Sequence, residues 1–230
     1  PMDRLDESVR RQLAWKYEVG LFKEKITSID QIDTIVSGPE TTKLTDEIAT
    51  RALTLVKNGS GTIPLDKTKR IAVLGISNGF DGPLTMASLN GSLRAAGVRF
   101  APAYIQENST PEQIEAARQA VSGADVVVVG LYGRVRSGAR NSVGIPDGGA
   151  AILRGLIAAR KTVIGVSFGN PYVLGSFPEM DTYLVAYGDM PSLQRAAGRG
   201  LTGQQDITGR LPITLPGLFP RETGVQILKK

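Results

Sequence analysis

Between Leu5 and Val19 the apolar residues Leu5, Val9, Leu13 and Tyr17 fall at every fourth position among charges such as Arg10, Arg11 and Lys16, and Gly20 closes the run. That spacing predicts an amphipathic helix. Residues 21–40 lack a strong period, contain Ser37-Gly38-Pro39, and read as an extended connecting arm. A second helix is expected from about Thr42 to Lys57, with Leu44, Ile48, Ala52, Leu55 and Val56 on one side and Gly59 beyond its end. Asn58 to Pro64 is then a turn-rich link.

After Lys69 the pattern changes to short apolar runs separated by helix-like stretches. Arg70–Ile76 and Asp125–Leu131 are continuous β-branched runs, as strands buried on both faces of a parallel sheet require. Thr162–Phe168 and Thr182–Tyr187 repeat the theme, while Val98–Ile105 is broken by Pro102 and belongs near an edge. Thr110, Pro111 and Gln113 form a capping box with proline at the first helical position. Ile114, Ala117 and Val121 follow as a buried stripe before Gly123. Further helices are expected over 84–96, 149–160 and 192–200. The alternation predicts an α/β fold: a doubly wound, mostly parallel sheet of five or six strands sandwiched by helices, with an N-terminal helix and extended arm.

Composition removes whole classes of chemistry. The 230 residues contain no cysteine and no histidine, which leaves no disulfide, thiol nucleophile, imidazole base or usual zinc ligand set in this chain. We expect no cofactor and no metal site. The net charge of +5 arises from 27 basic and 22 acidic residues scattered without a basic run, so no nucleic-acid partner is expected. Apolar stretches such as Val126–Tyr132 are too short to span a bilayer, and the chain reads as soluble, without a membrane partner. The opening Pro1-Met2 suggests either an appended residue or a chain cut from something longer.

Ligands of an open α/β sheet bind beyond the carboxyl ends of its strands, so the loops after Ile76, Leu131, Phe168 and Tyr187 are where function is sought. Gly75–Gly82 has glycines without dinucleotide spacing or a following phosphate-loop lysine, which favours a flexible turn over a phosphate cradle. Gly165-Val-Ser167-Phe-Gly169 matches a nucleophile elbow, yet no histidine exists to activate Ser167. The most loaded segment is Tyr132–Asn141, which sets Arg134, Arg136 and Arg140 with Ser137 and Asn141 on one loop after a central strand. Guanidinium groups there can fork hydrogen bonds to carboxylates, phosphates or sugar hydroxyls, or pair with acidic residues of a neighbouring domain. These five residues are the candidate substrate-binding or interdomain contacts; no catalytic residue is assigned.

Read in order, several segments resemble the C-terminal domain of glycoside hydrolase family 3. They are Arg4–Arg11 through Glu18–Phe22, Ala52–Asn58 with Ile63–Leu65, Ala124-Asp125 with its valine run, Gly169–Tyr172, and Gly209–Pro216. The resemblance implies that residues 1–40 are a linker helix and arm leading from an upstream (β/α)8 barrel, and that 41–230 are the family's α/β sandwich. It places the catalytic aspartate on that barrel, which makes the barrel the expected partner and leaves this chain inactive alone. In the family's β-glucosidase branch the α/β domain lends an acid/base glutamate from the loop after the strand that here ends near Leu131. This chain has no glutamate from Gly133 to Asn141. The departure favours the β-N-acetylglucosaminidase branch, whose acid/base pair sits on the barrel. The parent would then be a retaining glycosidase acting on a carbohydrate substrate, periplasmic or secreted, with this half supporting the barrel and roofing the cleft. The alternatives are a β-glucosidase-type parent with its acid/base residue elsewhere, and a stand-alone flavodoxin-like module binding a small ligand at Gly75–Gly82.

Overall fold

The computed structural model describes residues 1–26, 28–36, 38–138 and 141–229. These divide into two units, Pro1–Lys43 and Leu44–Lys230. In the first, α1 (Met2–Glu18) is braced by the Arg11–Glu7 ion pair one turn apart. Gly20, at φ +78°, ends it as expected, donating to the Tyr17 carbonyl. The stripe of Leu5, Val9 and Leu13 is about half exposed. The arm that follows is less extended than its composition suggests. Ser28 accepts from the Asp30 amide and starts a 3-10 turn at Ile29–Gln31 that runs into α2 (Ile32–Ile35). A local hydroxyl cap thus overrides the missing period. Pro39 does not extend the arm either, but takes the first position of α3 (Pro39–Ala52), where its absent N–H costs nothing. Ser37 lies outside the described residues.

The second unit holds a six-stranded sheet. The helix expected to Lys57 stops at Ala52, and β1 (Thr54–Asn58) takes over. Leu53, Thr54, Leu55 and Val56 are all buried, which a one-sided helix cannot achieve and a sheet strand packed on both faces can. Then come β2 (Ile71–Ser77), α4 (Ala87–Ala95), β3 (Phe100–Ile105), α5 (Pro111–Ser122), β4 (Val126–Tyr132), α6 (Asp147–Ala158), β5 (Thr162–Ser167), β6 (Thr182–Val185) and α7 (Pro191–Leu201). Strand order is β1-β6-β5-β4-β2-β3, with β1 antiparallel and the other five strands parallel. As expected, β3 with Pro102 lies at an edge. The opposite edge is covered by the chain's tail, where Val225 donates to the Leu55 carbonyl at 2.7 Å.

Two apolar layers flank the sheet. Leu89 and Leu93 of α4, Ala196 and Ala197 of α7 and Ala49 of α3 pack on one face; Ala117 and Val121 of α5 with Ile152 and Leu153 of α6 pack on the other. All seven residues of both β2 and β4 are buried, so the continuous apolar runs are explained by two covered faces. The capping box forms as read, with Thr110 and Gln113 bonded reciprocally at 3.3 and 2.9 Å.

Tyr132 and Tyr183 are completely buried, and this burial pushes both hydroxyls well above the ordinary tyrosine range, with the Asp189 charge and Tyr104 adding to the effect at Tyr132. The neutral form is the one the fold holds. Stability from these groups is complete below about pH 10, the unfolded tyrosine value, and falls as pH rises past it toward the folded values. In an alkaline ultraviolet titration, the phenolate signals of Tyr132 and Tyr183, isolated by difference against Tyr132→Phe and Tyr183→Phe, should appear only together with unfolding. Reversible ionisation of either in the folded chain would contradict this.

Candidate functional site

The chain leaves β2 for β3 on one side and returns to β4 on the other, so the loops after β2 and β4 diverge from adjacent strands. In such sheets this switch point is the crevice where ligands settle. The register sets Ser77 level with Tyr132, so Asn78 and Gly133 emerge side by side.

Asn78 fills that position. It is fully buried, and its side-chain amide donates to the carbonyls of Arg134 at 2.7 Å and Asn141 at 2.9 Å while accepting the Arg134 N–H at 3.1 Å. Both donors and the acceptor of one side chain are therefore bound to one loop. The Gly75–Gly82 segment is similarly committed. Its Asn78, Gly79 and Gly82 amides donate to the Tyr132 carbonyl, the Ser77 hydroxyl and the Gln106 side chain. Those N–H groups are turned inward and do not form an anion nest.

Arg134 is the electrostatic centre of this edge. Its Nε donates to Asp189 Oδ2 and its Nη1 to Asp81 Oδ2, each at 2.7 Å, and Nη2 also pairs with Asp189. One guanidinium thereby joins the loops after β2, β4 and β6. Partial burial disfavours the cation, but the hydrogen bonds and charges of Asp189 and Asp81 outweigh it and hold Arg134 above its ordinary value. Arg136 binds the Asn78 carbonyl and lies over the Phe80 ring, 4.8 Å from its centroid. Asn141, at φ +52°, directs its amide to Glu107 at 3.2 Å.

The same loop is held from the β5 side. Asn170 donates through its backbone N–H to the Gly133 carbonyl at 3.0 Å and through its side chain to the Val143 carbonyl at 2.9 Å. Ser167 is fully buried and donates to the Asn170 carbonyl at 3.1 Å, a bond that braces the turn after β5. Around these polar contacts the strand-end loops expose Phe80, Leu84, Val135, Val143, Tyr172 and Met190, each at least 49% accessible. Among the described residues no three or more acidic side chains are gathered to hold a metal ion, and no helix is long and apolar enough to cross a membrane.

The Glycosyl hydrolase family 3 C-terminal domain model matches residues 53–223. The chain belongs to this family. A β-N-acetylglucosaminidase/β-glucosidase of Cellulomonas fimi is 24% identical over 92% of the chain and 39% of its own length. A periplasmic β-glucosidase of Salmonella typhimurium is 26% identical over 97% of the chain and 35% of its own. The solved family 3 β-N-acetylglucosaminidase of a Paenibacillus species superposes with a TM-score of 0.69 at 27% identity, covering 91% of this chain and 38% of that one. This family 3 domain thus spans well under half the length of these relatives and corresponds to the C-terminal part of longer, multidomain enzymes.

Of the residues singled out in the sequence, the family 3 domain brings together Arg134, Arg136 and Asn141 around Asn78. Ser137 is exposed on the same loop, and Arg140 lies outside the described residues. The acceptors expected from a neighbouring domain are supplied to Arg134 by this one. Sequence reasoning passed over Asn78, Asp81 and Asp189. Their only local signal was position, just past the carboxyl ends of β2 and β6.

Gly169 shows how closely this edge is packed, since a Cβ there would lie 2.3 Å from the Gly133 carbonyl oxygen. Backbone cannot yield as a flexible side chain would. Gly169→Ala should therefore destabilise the domain by about 1–3 kcal/mol, the usual range for overpacking, read as a lower urea midpoint. An unchanged midpoint would show the β4 and β5 loops free to part.

Proposed function

We propose that this domain is the non-catalytic half of a retaining β-N-acetylglucosaminidase. In the parent it supports an N-terminal (β/α)8 barrel, to which residues 1–40 lead, and roofs the sugar-binding cleft with the loop from Gly133 to Asn141. The observation that carries the reading is the face at the strand ends, where exposed apolar side chains surround an internally neutralised arginine. Exposed apolar side chains grouped on the loops at one end of a sheet suit a docking surface. The exposed stripe of Leu5, Val9 and Leu13 on α1 supports the same view of the arm. Because Asn78 occupies the switch point and the glycine loop turns its amides inward, a stand-alone small-ligand module is disfavoured. The periplasmic name of the Salmonella relative supports an exported parent.

One observation favours the β-glucosidase alternative. Glu107, from the loop after β3, reaches the arginine loop and accepts from Asn141. A β-glucosidase-type parent would have in Glu107 a carboxylate at the right edge for acid/base work, though from a different loop. Glu107→Gln in the protein that carries both domains separates the two. Loss of kcat with rescue by azide supports the β-glucosidase mechanism, and retention of kcat supports the acetylglucosaminidase one.

The isolated chain should cleave neither chromogenic N-acetylglucosaminides nor glucosides; turnover by the pure chain would overturn the assignment. In the two-domain protein, Arg136→Ala should lower kcat/KM on the order of tenfold, about 1.4 kcal/mol, by freeing the Phe80 ring and the loop edge. Unchanged kinetics would reduce Arg136 to a surface contact.

A further inference from the structure

We propose that Asn78 and Asn170 are the positioning residues of this site, a pair of asparagines that fix the two described limbs of the loop after β4, 133–138 and 141–146, from its two sides. The inference rests on the reading that this loop faces the cleft. A surface loop as long as the one from Gly133 to Pro146 forfeits about 1–2 kcal/mol of backbone entropy per ordered residue and needs specific bonds to stay fixed. Between its described residues two backbone bonds are formed. Arg136 donates to the Ser142 carbonyl and Gly144 to the Asn141 carbonyl.

Further anchors come from outside. Asn78 binds the loop at its start, through Arg134, and again near its far end, through Asn141. Asn170 repeats the arrangement from the β5 side, reaching Gly133 with its backbone and Val143 with its side chain. Each asparagine thus closes the loop by touching both of its limbs. The chemistry is specific to an amide. Three of these contacts are side-chain N–H donations to backbone carbonyls, which a carboxylate of the same shape cannot make. Arg134 and Arg136 then take their places because the backbone beneath them is fixed. Asn78 even presents its own carbonyl to Arg136. The two residues act through the loop and need touch no sugar.

The test compares the wild-type chain with Asn78→Asp, Asn78→Ala and Asn170→Asp by amide hydrogen exchange. The clamp requires the Arg134, Arg136 and Gly144 amides to exchange at least about tenfold faster, while those of Val127–Val129 keep their protection. Should the buried carboxylate of Asn78→Asp prevent folding, Asn170→Asp, at a half-buried position, carries the same requirement. Unchanged loop exchange in the folded variants overturns the proposal. In the protein that carries both domains, Asn170→Asp should raise KM more than it lowers kcat and leave the pH profile in place. A loss confined to thermal stability, with KM unmoved, would make the asparagines structural only and overturn their positioning role. Failure of the functional reading shows elsewhere, as kinetics indifferent to Arg136 while loop exchange still responds to Asn78.

Discussion

Parallel strands covered on both faces leave no room for polar side chains along their length, and this exclusion determines where everything else in the domain can happen. β2, β4 and β6 are buried from end to end, and β5 nearly so. Their backbone groups satisfy one another, and their side chains satisfy only the apolar layers on either side. Polar function is displaced to the strand ends, where Ser77, Asn78 and Ser167 are buried, each with a hydrogen-bond partner. The arginine loop lies where it does because β4 runs through the middle of the sheet and delivers it between two neighbours.

What could be read directly from the residues followed the range of the interactions involved. The capping box at Thr110 and Gln113 and the break at Gly20 depend on neighbours a few positions away, and both were legible. The valine runs were legible because burial on two faces leaves a compositional trace. β1 was misassigned because Leu55 and Val56 suit a helix stripe as well as a strand; its pairing with β6 across more than a hundred residues leaves no local mark. The site behaves in the same way. Three arginines in seven positions announced a special loop, but Asp81 and Asp189 lie 53 and 55 residues away from Arg134. Arg134 needs no acceptor from outside, because the fold carries Asp81 and Asp189 to it.

This internal neutralisation bears on how the domain meets its surroundings. An arginine held by two carboxylates of its own chain contributes shape and a directed edge more than net charge, and exposed ion pairs of this kind add little stability by themselves. On the proposed docking face, complementarity would depend chiefly on Phe80, Tyr172 and the aliphatic side chains beside them, with the polar network fixing their spacing. A surface of that composition suits a permanent neighbour within one polypeptide better than a partner that comes and goes with ionic strength.

The tail's return to β1 has a consequence for the order in which the domain is made. Leu55 is among the first residues of the sheet to leave the ribosome, yet among the described residues its outer edge is closed by Val225, and Ile227 meets Ile207 later still. The sheet's first edge thus stays open throughout synthesis of the domain and is sealed by some of its last residues. Any preceding domain would have emerged and had time to fold before this one was finished.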